Sequence, residues 1–258
     1  MQMDRIQQTA IKAAFESGRI LKSHFGNVLD IRKKGAVDLV TQADTASEAA
    51  IIKIIRRTFP KHTILAEESG LDQREAAHQW IIDPLDGTVN FAHQVPIFSI
   101  SIAFARNGVP EMGVVLNPIS GELFTAITGK GAFLNKRPIQ VSSTTTVGDS
   151  LLATGFPYNL RSVFDTITQR LTTCLRAARG IRRLGSAAID LCALSCGRFD
   201  GYWEQNLHPW DTAAALVIAK ESGAVVTNFN NKPFHIEHQE ILATNGHIHD
   251  EMLALLQM

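Results

Sequence analysis

The chain has 258 residues, of which 45% are apolar and 19% are charged, and its 25 Lys and Arg balance its 25 Asp and Glu. A chain of this length buries enough surface to form a core without disulfides or structural metals, and its near-average composition excludes disordered, collagen-like and coiled-coil classes. A formal net charge of zero gives no general attraction to nucleic acid or anionic membranes.

The first half of the chain is predicted to contain two helices and several strands. Apolar residues at three- and four-residue intervals predict a first helix that ends near Gly26. Two β-type runs predict a hairpin over residues 28–41, and a second helix is expected from Asp44 to Thr58, because Pro60 cannot continue it. Short apolar runs predict strands over 62–66, 80–83, 98–105, 111–116 and 121–128.

The second half alternates strand and helix patterns. Strands are expected over 151–154, 180–184, 200–204, 224–227 and 240–244. Helices are expected over 163–178, 187–196, 209–222 and at the C-terminal end. This alternation favours a sheet between layers of helices, and the Ser- and Thr-rich residues 142–146 mark the predicted boundary between two halves, 1–145 and 146–258.

The cysteine content and the N-terminal sequence favour a cytoplasmic protein without a membrane segment. Cys174, Cys192 and Cys196 are an odd number in apolar stretches, which is not the pattern of a disulfide framework, and we interpret Cys192 and Cys196 as core residues. The N-terminal helix carries charges throughout, unlike a signal peptide. The longest uncharged run, 87–105, is too polar to span a bilayer.

One segment places two carboxylates at the end of a predicted strand. The apolar run 80–82 delivers Asp83 at its carboxyl end, where sheet proteins usually bind ligands. Asp86 follows within one turn, and Gly87 permits close backbone approach to a ligand. Like charges this close repel unless a cation lies between them, and hard oxygen ligands suit Mg²⁺. Thr88 is expected to cap a short helix whose first N–H groups bind an anion.

Each acidic position also has a purely structural interpretation. Asp83 and Asp86 alone are consistent with a strand-to-helix turn, and Glu67 is equally typical of a solvated loop after a strand. Asp211 begins an apolar helix, where an acid favours the helix dipole, and Asp44 is placed as a helix N-cap. The functional interpretation therefore depends on the four segments taken together.

Four segments in this order resemble the signatures of the inositol monophosphatase family, nearest to its bacterial inositol-1-monophosphatase branch. They are Asp38-Leu39-Val40-Thr41-Gln42-Ala43-Asp44, Glu67-Glu68-Ser69-Gly70, Asp83-Pro84-Leu85-Asp86-Gly87-Thr88-Val89-Asn90-Phe91 and Trp210-Asp211. Residues 182–188 and 197–201 resemble that branch as well, so the resemblance covers essentially the whole chain. It implies an α/β (α+β) fold, the layered αβαβα sandwich of the inositol monophosphatase/fructose-1,6-bisphosphatase type, with the site between its halves.

The resemblance also implies roles for individual residues. One Mg²⁺ would be held by Glu67, Asp83 and the Leu85 carbonyl. A second would be held by Asp83, Asp86 and Asp211, and a third, looser ion would lie near Glu67. The implied catalytic residues are Glu67, Asp44 and Thr88, of which the last two would orient the attacking water. The implied substrate-binding residues are Gly87 and Thr88, whose N–H groups would hold the phosphate, Glu204, which would hydrogen-bond the inositol hydroxyls, Ser186 and Ala187, which would line the same region, and Asp211. Beside Glu204 the chain departs from the family, because Gln205-Asn206 replaces smaller residues, and this departure concerns leaving-group preference.

Other phosphate-binding motifs fit the sequence less well. A haloacid-dehalogenase-type phosphatase uses Asp-x-Asp, whereas Asp83 and Asp86 are three residues apart. The Gly129-Lys130-Gly131 segment lacks the glycine spacing and the Ser or Thr of a P-loop, and Leu134 stands where a dinucleotide-binding motif needs its third glycine.

The resulting prediction is a cytoplasmic Mg²⁺-dependent phosphomonoesterase that hydrolyses myo-inositol monophosphates. The resemblance also implies inhibition by Li⁺ and a homodimer. Fructose 1,6-bisphosphate, histidinol phosphate and nucleotides remain alternative substrates, because the metal ions contact only the phosphate. A different alternative is a protein that binds the transcription machinery and acts in antitermination, as members of the branch do. The basic cluster Arg176, Arg179, Arg182 and Arg183 is interpreted as solvated surface or a subunit contact.

Overall fold

Seven helices occur in the computed structural model, which describes residues 2–26, 31–34, 38–157 and 160–257. Within these ranges they are α1 (Gln2–His24), α2 (Gln42–Thr58), α3 (Thr88–Ala92), α4 (Leu160–Ala177), α5 (Ala187–Ser195), α6 (Pro209–Glu221) and α7 (His249–Leu256). None of the helices described is long and apolar enough to cross a membrane.

The first half forms a hairpin and a large sheet. The hairpin pairs β1 (Ile31–Lys34) with β2 (Asp38–Thr41). The remaining strands are β3 (His62–Ala66), β4 (Gly70–Asp72), β5 (Glu75–Asp86), β6 (Ser99–Arg106), β7 (Val109–Asn117), β8 (Glu122–Ile127), β9 (Ala132–Leu134) and β10 (Arg137–Ile139). They form an eight-stranded sheet in the order β10-β9-β8-β7-β6-β5-β3-β4, in which β3 and β5 run parallel.

The second half supplies a five-stranded sheet. Its strands are β11 (Leu151–Thr154), β12 (Gly180–Arg182), β13 (Gly201–Gln205), β14 (Val225–Thr227) and β15 (Glu240–Thr244), in the order β12-β11-β13-β15-β14. β11 runs parallel to both neighbours, whereas β15 is antiparallel to β13 and β14. We propose that the boundary between the halves 1–145 and 146–258 lies in the connection between β10 and β11.

Three hydrophobic clusters separate five layers. Trp80 and Ile82 on β5 pack against α1 and α2, whereas Ile81 between them faces α5 and α6, as the alternation along a strand requires. On the second sheet, Tyr202 faces α5 and α6, and Trp203 faces α4 and α7. The order is therefore helices, sheet, helices, sheet, helices, and the predicted αβαβα sandwich is confirmed.

The middle layer packs so closely that one strand position has no room for a side chain. Seven of the thirteen residues of α6 are buried hydrophobics, from Ala213 to Ala219. A Cβ at Gly113 on β7 would lie 2.1 Å from the carbonyl oxygen of Ala214, which is shorter than any normal contact. Glycine at this position thus brings α6 against the large sheet and fixes the helix that begins at the site described below.

The sequence predicted most elements to within three residues, with specific errors. α2 begins at Gln42, two residues early, so Asp44 lies inside the first turn and its prediction as the N-cap is wrong. α3 begins at Thr88 with Gly87 as its N-cap, so Thr88 is not the cap either. The short strands β4, β9 and β10 were not predicted, and residues 28–30 and 35–37 of the predicted hairpin lie outside the described residues.

Candidate active site

A cavity of about 260 Å³ is lined by residues from both halves of the chain. Its wall includes all five residues predicted as metal ligands, namely Glu67, Asp83, Leu85, Asp86 and Asp211. It also includes the predicted substrate-binding residues Gly87, Thr88, Ser186, Ala187 and Glu204. Among the predicted site residues only Asp44 is not part of this wall; it is 1% exposed on α2, and its charge still raises the pKa of Asp83.

Parallel pairing of two strands brings the first two acidic positions together. Ala66 at the end of β3 is in register with Ile82 on β5, so Glu67 and Asp83 follow at adjacent strand ends. The Glu67 N–H donates to the Ile82 carbonyl at 3.2 Å, which continues the ladder by one residue. The order of strands thus explains why residues 16 positions apart in sequence meet at one edge of the sheet.

The turn after β5 is held by its own side chains and by α2. Asp83 Oδ1 accepts the Leu85 N–H at 2.9 Å, and the Thr88 hydroxyl donates to the Leu85 carbonyl at 3.0 Å. From α2, the Ser47 hydroxyl donates to the Pro84 carbonyl at 2.9 Å. Gly87 has a φ of 98°, in the left-handed region that glycine adopts without strain. The backbone that carries the two aspartates is therefore tightly defined.

Asp86 joins the turn of the first half to the beginning of α5 in the second. Its Oδ2 accepts the Ser186 hydroxyl at 2.5 Å, the Ala188 N–H at 2.9 Å and the Ser99 hydroxyl at 3.3 Å. Ser186 is also the N-cap of α5. Burial raises the pKa of Asp86, and these hydrogen bonds oppose that shift because they favour the charged form.

The fourth acidic position lies at the beginning of α6. Asp211 Oδ2 accepts the His208 N–H at 2.7 Å, which fixes the carboxylate at the first turn. Desolvation raises the pKa of Asp211 well above its ordinary value, and the charges of Asp86 and Glu67 raise it further. His208 also lines the cavity.

The electrostatics of the cluster fit a bound cation. The pKa of Asp83 is raised well above its ordinary value by burial first and then by the charges of Glu67, Asp86, Asp211 and Asp44. Every charge that acts on Asp83 in this way is negative, so the carboxylates repel one another. A divalent cation with oxygen ligands would replace this repulsion with attraction. The donor set therefore fits the metal ions predicted from the sequence.

The carboxylates are spread more widely than the ligands of one ion. Two ligands at the typical Mg²⁺–oxygen distance lie at most about 4.2 Å apart. Among the described residues, only His62, Glu75 and His78 form a trio of His, Cys, Asp or Glu whose ligand atoms all lie within 4.8 Å of one another. No three of the described carboxylates in the cavity meet this criterion, so three of them could share one ion only after moving closer together.

The histidine trio has a packing explanation. The Trp80 indole N–H donates to His62 Nδ1 at 3.1 Å, so this nitrogen acts as an acceptor and the neutral ring carries its proton on Nε2. The His62 and His78 rings stack with centroids 4.9 Å apart. His62 held in this way offers no free lone pair to a metal ion, and we assign the trio to the aromatic core around β3 and β5.

A second acidic group lines the cavity away from the strand ends. Glu204 on β13 accepts the Tyr202 hydroxyl at 2.5 Å. Burial raises the pKa of Glu204 to about 7, against the opposing effects of the Tyr202 hydrogen bond and the Arg183 charge. Gly155 lies against this carboxylate. Asn206, where the sequence departs from the family pattern, also lines the cavity.

Sequence reasoning missed three residues at the site. Arg183, predicted to be surface or a subunit contact, instead lines the cavity and lies over the Phe156 ring at 5.5 Å. Asp190 on α5 lines the cavity and is 1% exposed. Glu48 on α2 accepts the N–H groups of Glu68 and Ser69 at 2.8 and 2.9 Å, beside Glu67. Asp190 lies one helical turn after Ser186, and Glu48 lies one turn after Asp44. This helical spacing was the only signal in the sequence for these two residues.

The whole chain matches a known family. The model of the inositol monophosphatase family matches residues 2–258. The chain belongs to the inositol monophosphatase family. An inositol-1-monophosphatase from Synechocystis sp. is 47% identical over 247 residues, which are 95% of this chain and 86% of that protein. A Nus factor SuhB from Haemophilus influenzae is 39% identical over 254 residues, which are 97% of this chain and 95% of that protein.

Solved structures show the same fold. The structure of an inositol monophosphatase from Anabaena (Nostoc) sp. has a TM-score of 0.91 and 43% identity, with 100% of this chain and 97% of that chain covered. The extragenic suppressor protein suhB from Bartonella henselae has a TM-score of 0.95 and 37% identity, with 98% of each chain covered. The predicted family, fold and phosphatase class are therefore confirmed, and the family is one of metal-dependent phosphatases.

Proposed function

We propose that this inositol monophosphatase family member is a Mg²⁺-dependent phosphomonoesterase that hydrolyses myo-inositol monophosphates to inositol and phosphate. The observation that carries the proposal is the convergence of Glu67, Asp83, Asp86 and Asp211 on one cavity that Glu204 also lines. The first four carboxylates would provide oxygen ligands for metal ions. Glu204 on β13 would contact a hydroxylated leaving group in the same cavity.

Five residues are proposed to hold two Mg²⁺ ions. Glu67, Asp83 and the Leu85 carbonyl would hold one ion, and Asp83, Asp86 and Asp211 the other, with a third, looser ion near Glu67. Bound divalent ions supply an acidified water and neutralise charge on the phosphate oxygens. Asp83 belongs to both proposed sets, which agrees with its position at the centre of the mutual repulsion described above.

The chain's own residues would position the other reactants. Asp44 and Thr88 are proposed to orient the attacking water, and the N–H groups of Gly87 and Thr88 to hold the phosphate, because the first N–H groups of a helix lack intrahelical partners. The water oxygen forms a bond to phosphorus while the ester P–O bond breaks, and the proton that the water gives up ends on the leaving alcohol. The reaction requires no side-chain nucleophile, and positioning with charge stabilisation supplies most of the catalysis.

Leaving-group recognition would come from the second half of the chain. We propose that Glu204 accepts hydrogen bonds from inositol hydroxyls and that Ser186 and Ala187 line the same region. Fructose 1,6-bisphosphate, histidinol phosphate and nucleotides are the alternative substrates. We further propose that the protein is cytoplasmic and binds no membrane, as its cysteine content and N-terminal sequence favour. It is also proposed to be a homodimer that is inhibited by Li⁺, as the family resemblance implies.

A panel of phosphate-release assays tests this function. Release from inositol monophosphates, fructose 1,6-bisphosphate, histidinol phosphate and a nucleotide would be measured with and without Mg²⁺ and with added Li⁺. We expect the highest kcat/KM with an inositol monophosphate, complete dependence on Mg²⁺ and inhibition by Li⁺. A higher kcat/KM for another ester would overturn the substrate, and release without any divalent ion would overturn the mechanism.

Relatives named Nus factor SuhB, such as the one that is 39% identical, favour a second candidate function. In this alternative the protein contacts the transcription machinery independently of catalysis. The test is association of the purified protein with ribosomal RNA transcription complexes, measured for the wild type and for Asp83→Asn. Equal association of the two would support this function, and no association of either would exclude it.

A further inference from the structure

A buried carboxyl group in the cavity wall has no role in the mechanism above. Asp190 lies in the first turn of α5, 1% of its surface is exposed, and its Oδ1 has no hydrogen-bond partner. More than nine in ten buried polar groups have a partner, and a buried group without one destabilises the fold. The position of Asp190 therefore calls for a partner from outside the chain.

The cavity is where such a partner would be. Asp190 lines it together with Glu204, whose charge raises the pKa of Asp190. One turn earlier on α5, Ser186 holds Asp86 by a 2.5 Å hydrogen bond. Ser186 and Asp190 are therefore one turn apart at the start of α5. Ser186 contacts the acidic cluster, and Asp190 lines the cavity with Glu204.

We propose that Asp190 is a specificity-determining residue that hydrogen-bonds a hydroxyl of the leaving group, beside Glu204. The proposal rests on the phosphomonoesterase function proposed above. Oδ1 itself is buried, so the carboxyl group would turn about its Cβ–Cγ bond to give this oxygen the partner that it lacks in the folded chain. A polyhydroxylated ring satisfies this oxygen, whereas a leaving group without hydroxyls leaves it buried and unpartnered.

The chemistry of the pair favours a neutral polyol. Burial and the nearby Glu204 carboxylate raise the pKa of Asp190, while Arg183 opposes the shift. A protonated carboxyl group both donates and accepts, and a hydroxyl group does the same. The carboxyl groups of Asp190 and Glu204, which line the same cavity, therefore suit the hydroxyls of a polyol better than an apolar or aromatic leaving group.

The test compares two substrates across three variants. Asp190→Leu removes both oxygens and keeps the branched shape with larger methyl groups, whereas Asp190→Asn is nearly isosteric, keeps one acceptor and adds an amide donor. Asp165→Leu makes the same change as Asp190→Leu at an exposed position on α4. The measured quantity is the ratio of kcat/KM for inositol 1-phosphate to kcat/KM for p-nitrophenyl phosphate, with Mg²⁺. We expect Asp190→Leu to lower this ratio at least about tenfold, Asp190→Asn to restore most of it and Asp165→Leu to leave it unchanged.

A binding measurement separates this inference from the function on which it rests. Free myo-inositol is expected to raise the melting temperature of the wild type and not that of Asp190→Leu. The inference is overturned if the ratio is unchanged in Asp190→Leu, or if myo-inositol stabilises the wild type and Asp190→Leu equally. A wild type that releases no phosphate from either substrate overturns the proposed function instead, and the myo-inositol shift then decides the role of Asp190.

Discussion

The carboxylate of Glu204 occupies the space in which a side chain on Gly155 would begin. A Cβ at Gly155 would lie 2.0 Å from the Glu204 carboxyl carbon and 2.0 and 2.1 Å from its two oxygens. Glycine directly after β11 therefore sets where the Glu204 carboxylate can lie. Because Glu204 is the proposed inositol-binding group, the smallest possible addition at residue 155 should act on substrate recognition.

Gly155→Ala is expected to raise KM for an inositol monophosphate about tenfold, because a displaced Glu204 loses hydrogen bonds worth about 1–2 kcal/mol. Steady-state kinetics with inositol 1-phosphate would measure this effect. Gly148→Ala is the matched control, since a Cβ there meets only the Ala177 carbonyl oxygen at 3.8 Å. Equal KM values for a folded Gly155→Ala and the wild type would show that Glu204 does not bind the substrate.

Glu48 is expected to control metal affinity from outside the proposed ligand set. Its carboxylate accepts the Glu68 and Ser69 N–H groups and so fixes the turn that carries Glu67. Glu48→Ala removes both acceptors and leaves two backbone donors unpaired, at about 1–3 kcal/mol each when they stay buried. We expect the Mg²⁺ concentration for half-maximal activity to rise about tenfold, and Glu48→Gln to recover part of the loss.

A matched control exists at another pair of backbone amides. Glu221 accepts the Gly129 and Gly131 N–H groups at 2.9 and 2.8 Å, but it does not line the cavity. Glu221→Ala should lower the melting temperature by a smaller amount, because the exposed Gly129 N–H can bind water instead, and should leave the Mg²⁺ dependence unchanged. If both variants shift the Mg²⁺ dependence equally, Glu48 acts through general stability and not through the position of Glu67.

The sequence predicted the proposed ligands better than it predicted their surroundings. Asp83 and Asp86 follow a buried strand at a recognisable spacing, and family signatures carry the information that Glu67 and Asp211 belong with them. The only signal for Asp190 is its position one turn after Ser186, and an acid in an apolar helix indicates neither burial nor a missing partner. Its environment depends on where α5 packs against the sheets, which local spacing does not determine.

The errors in the fold have a related cause. Asp44 was placed at a helix N-cap by its residue type, whereas α2 begins two residues earlier and buries this acid near Asp83. Arg183 was assigned to the surface because it lies in a run of basic residues, and tertiary packing over Phe156 places it in the cavity wall instead. Residue type predicts a preference, and long-range packing decides the outcome.

Asp83→Asn is expected to abolish Mg²⁺-dependent turnover while leaving the fold intact. The amide oxygen still accepts the Leu85 N–H, so the turn after β5 is preserved. One negative charge is removed from the proposed ligand set, and we expect kcat/KM to fall at least about 1000-fold. Phosphate release measures the activity, and melting in a chelator measures the fold. Activity near that of the wild type would exclude Asp83 as a metal ligand.

The raised pKa of Glu204 predicts how metal-free stability depends on pH. The folded-state pKa is about 7, above the ordinary value of 4.5, so the folded protein binds the proton more tightly between these values. The contribution of this group to the free energy of unfolding is therefore complete below pH 4.5, and it is lost as pH rises through 7. A shift of this size corresponds to about 3 kcal/mol.

Chemical denaturation of the wild type and Glu204→Gln in a chelator, at pH 5 and pH 8, isolates this contribution from the other carboxylates. We expect the stability of Glu204→Gln relative to the wild type to increase from pH 5 to pH 8, because glutamine has no charge to bury. A difference between the two proteins that is independent of pH would show that Glu204 is already ionised at pH 5, and the hydroxyl-binding site would then carry a permanent negative charge.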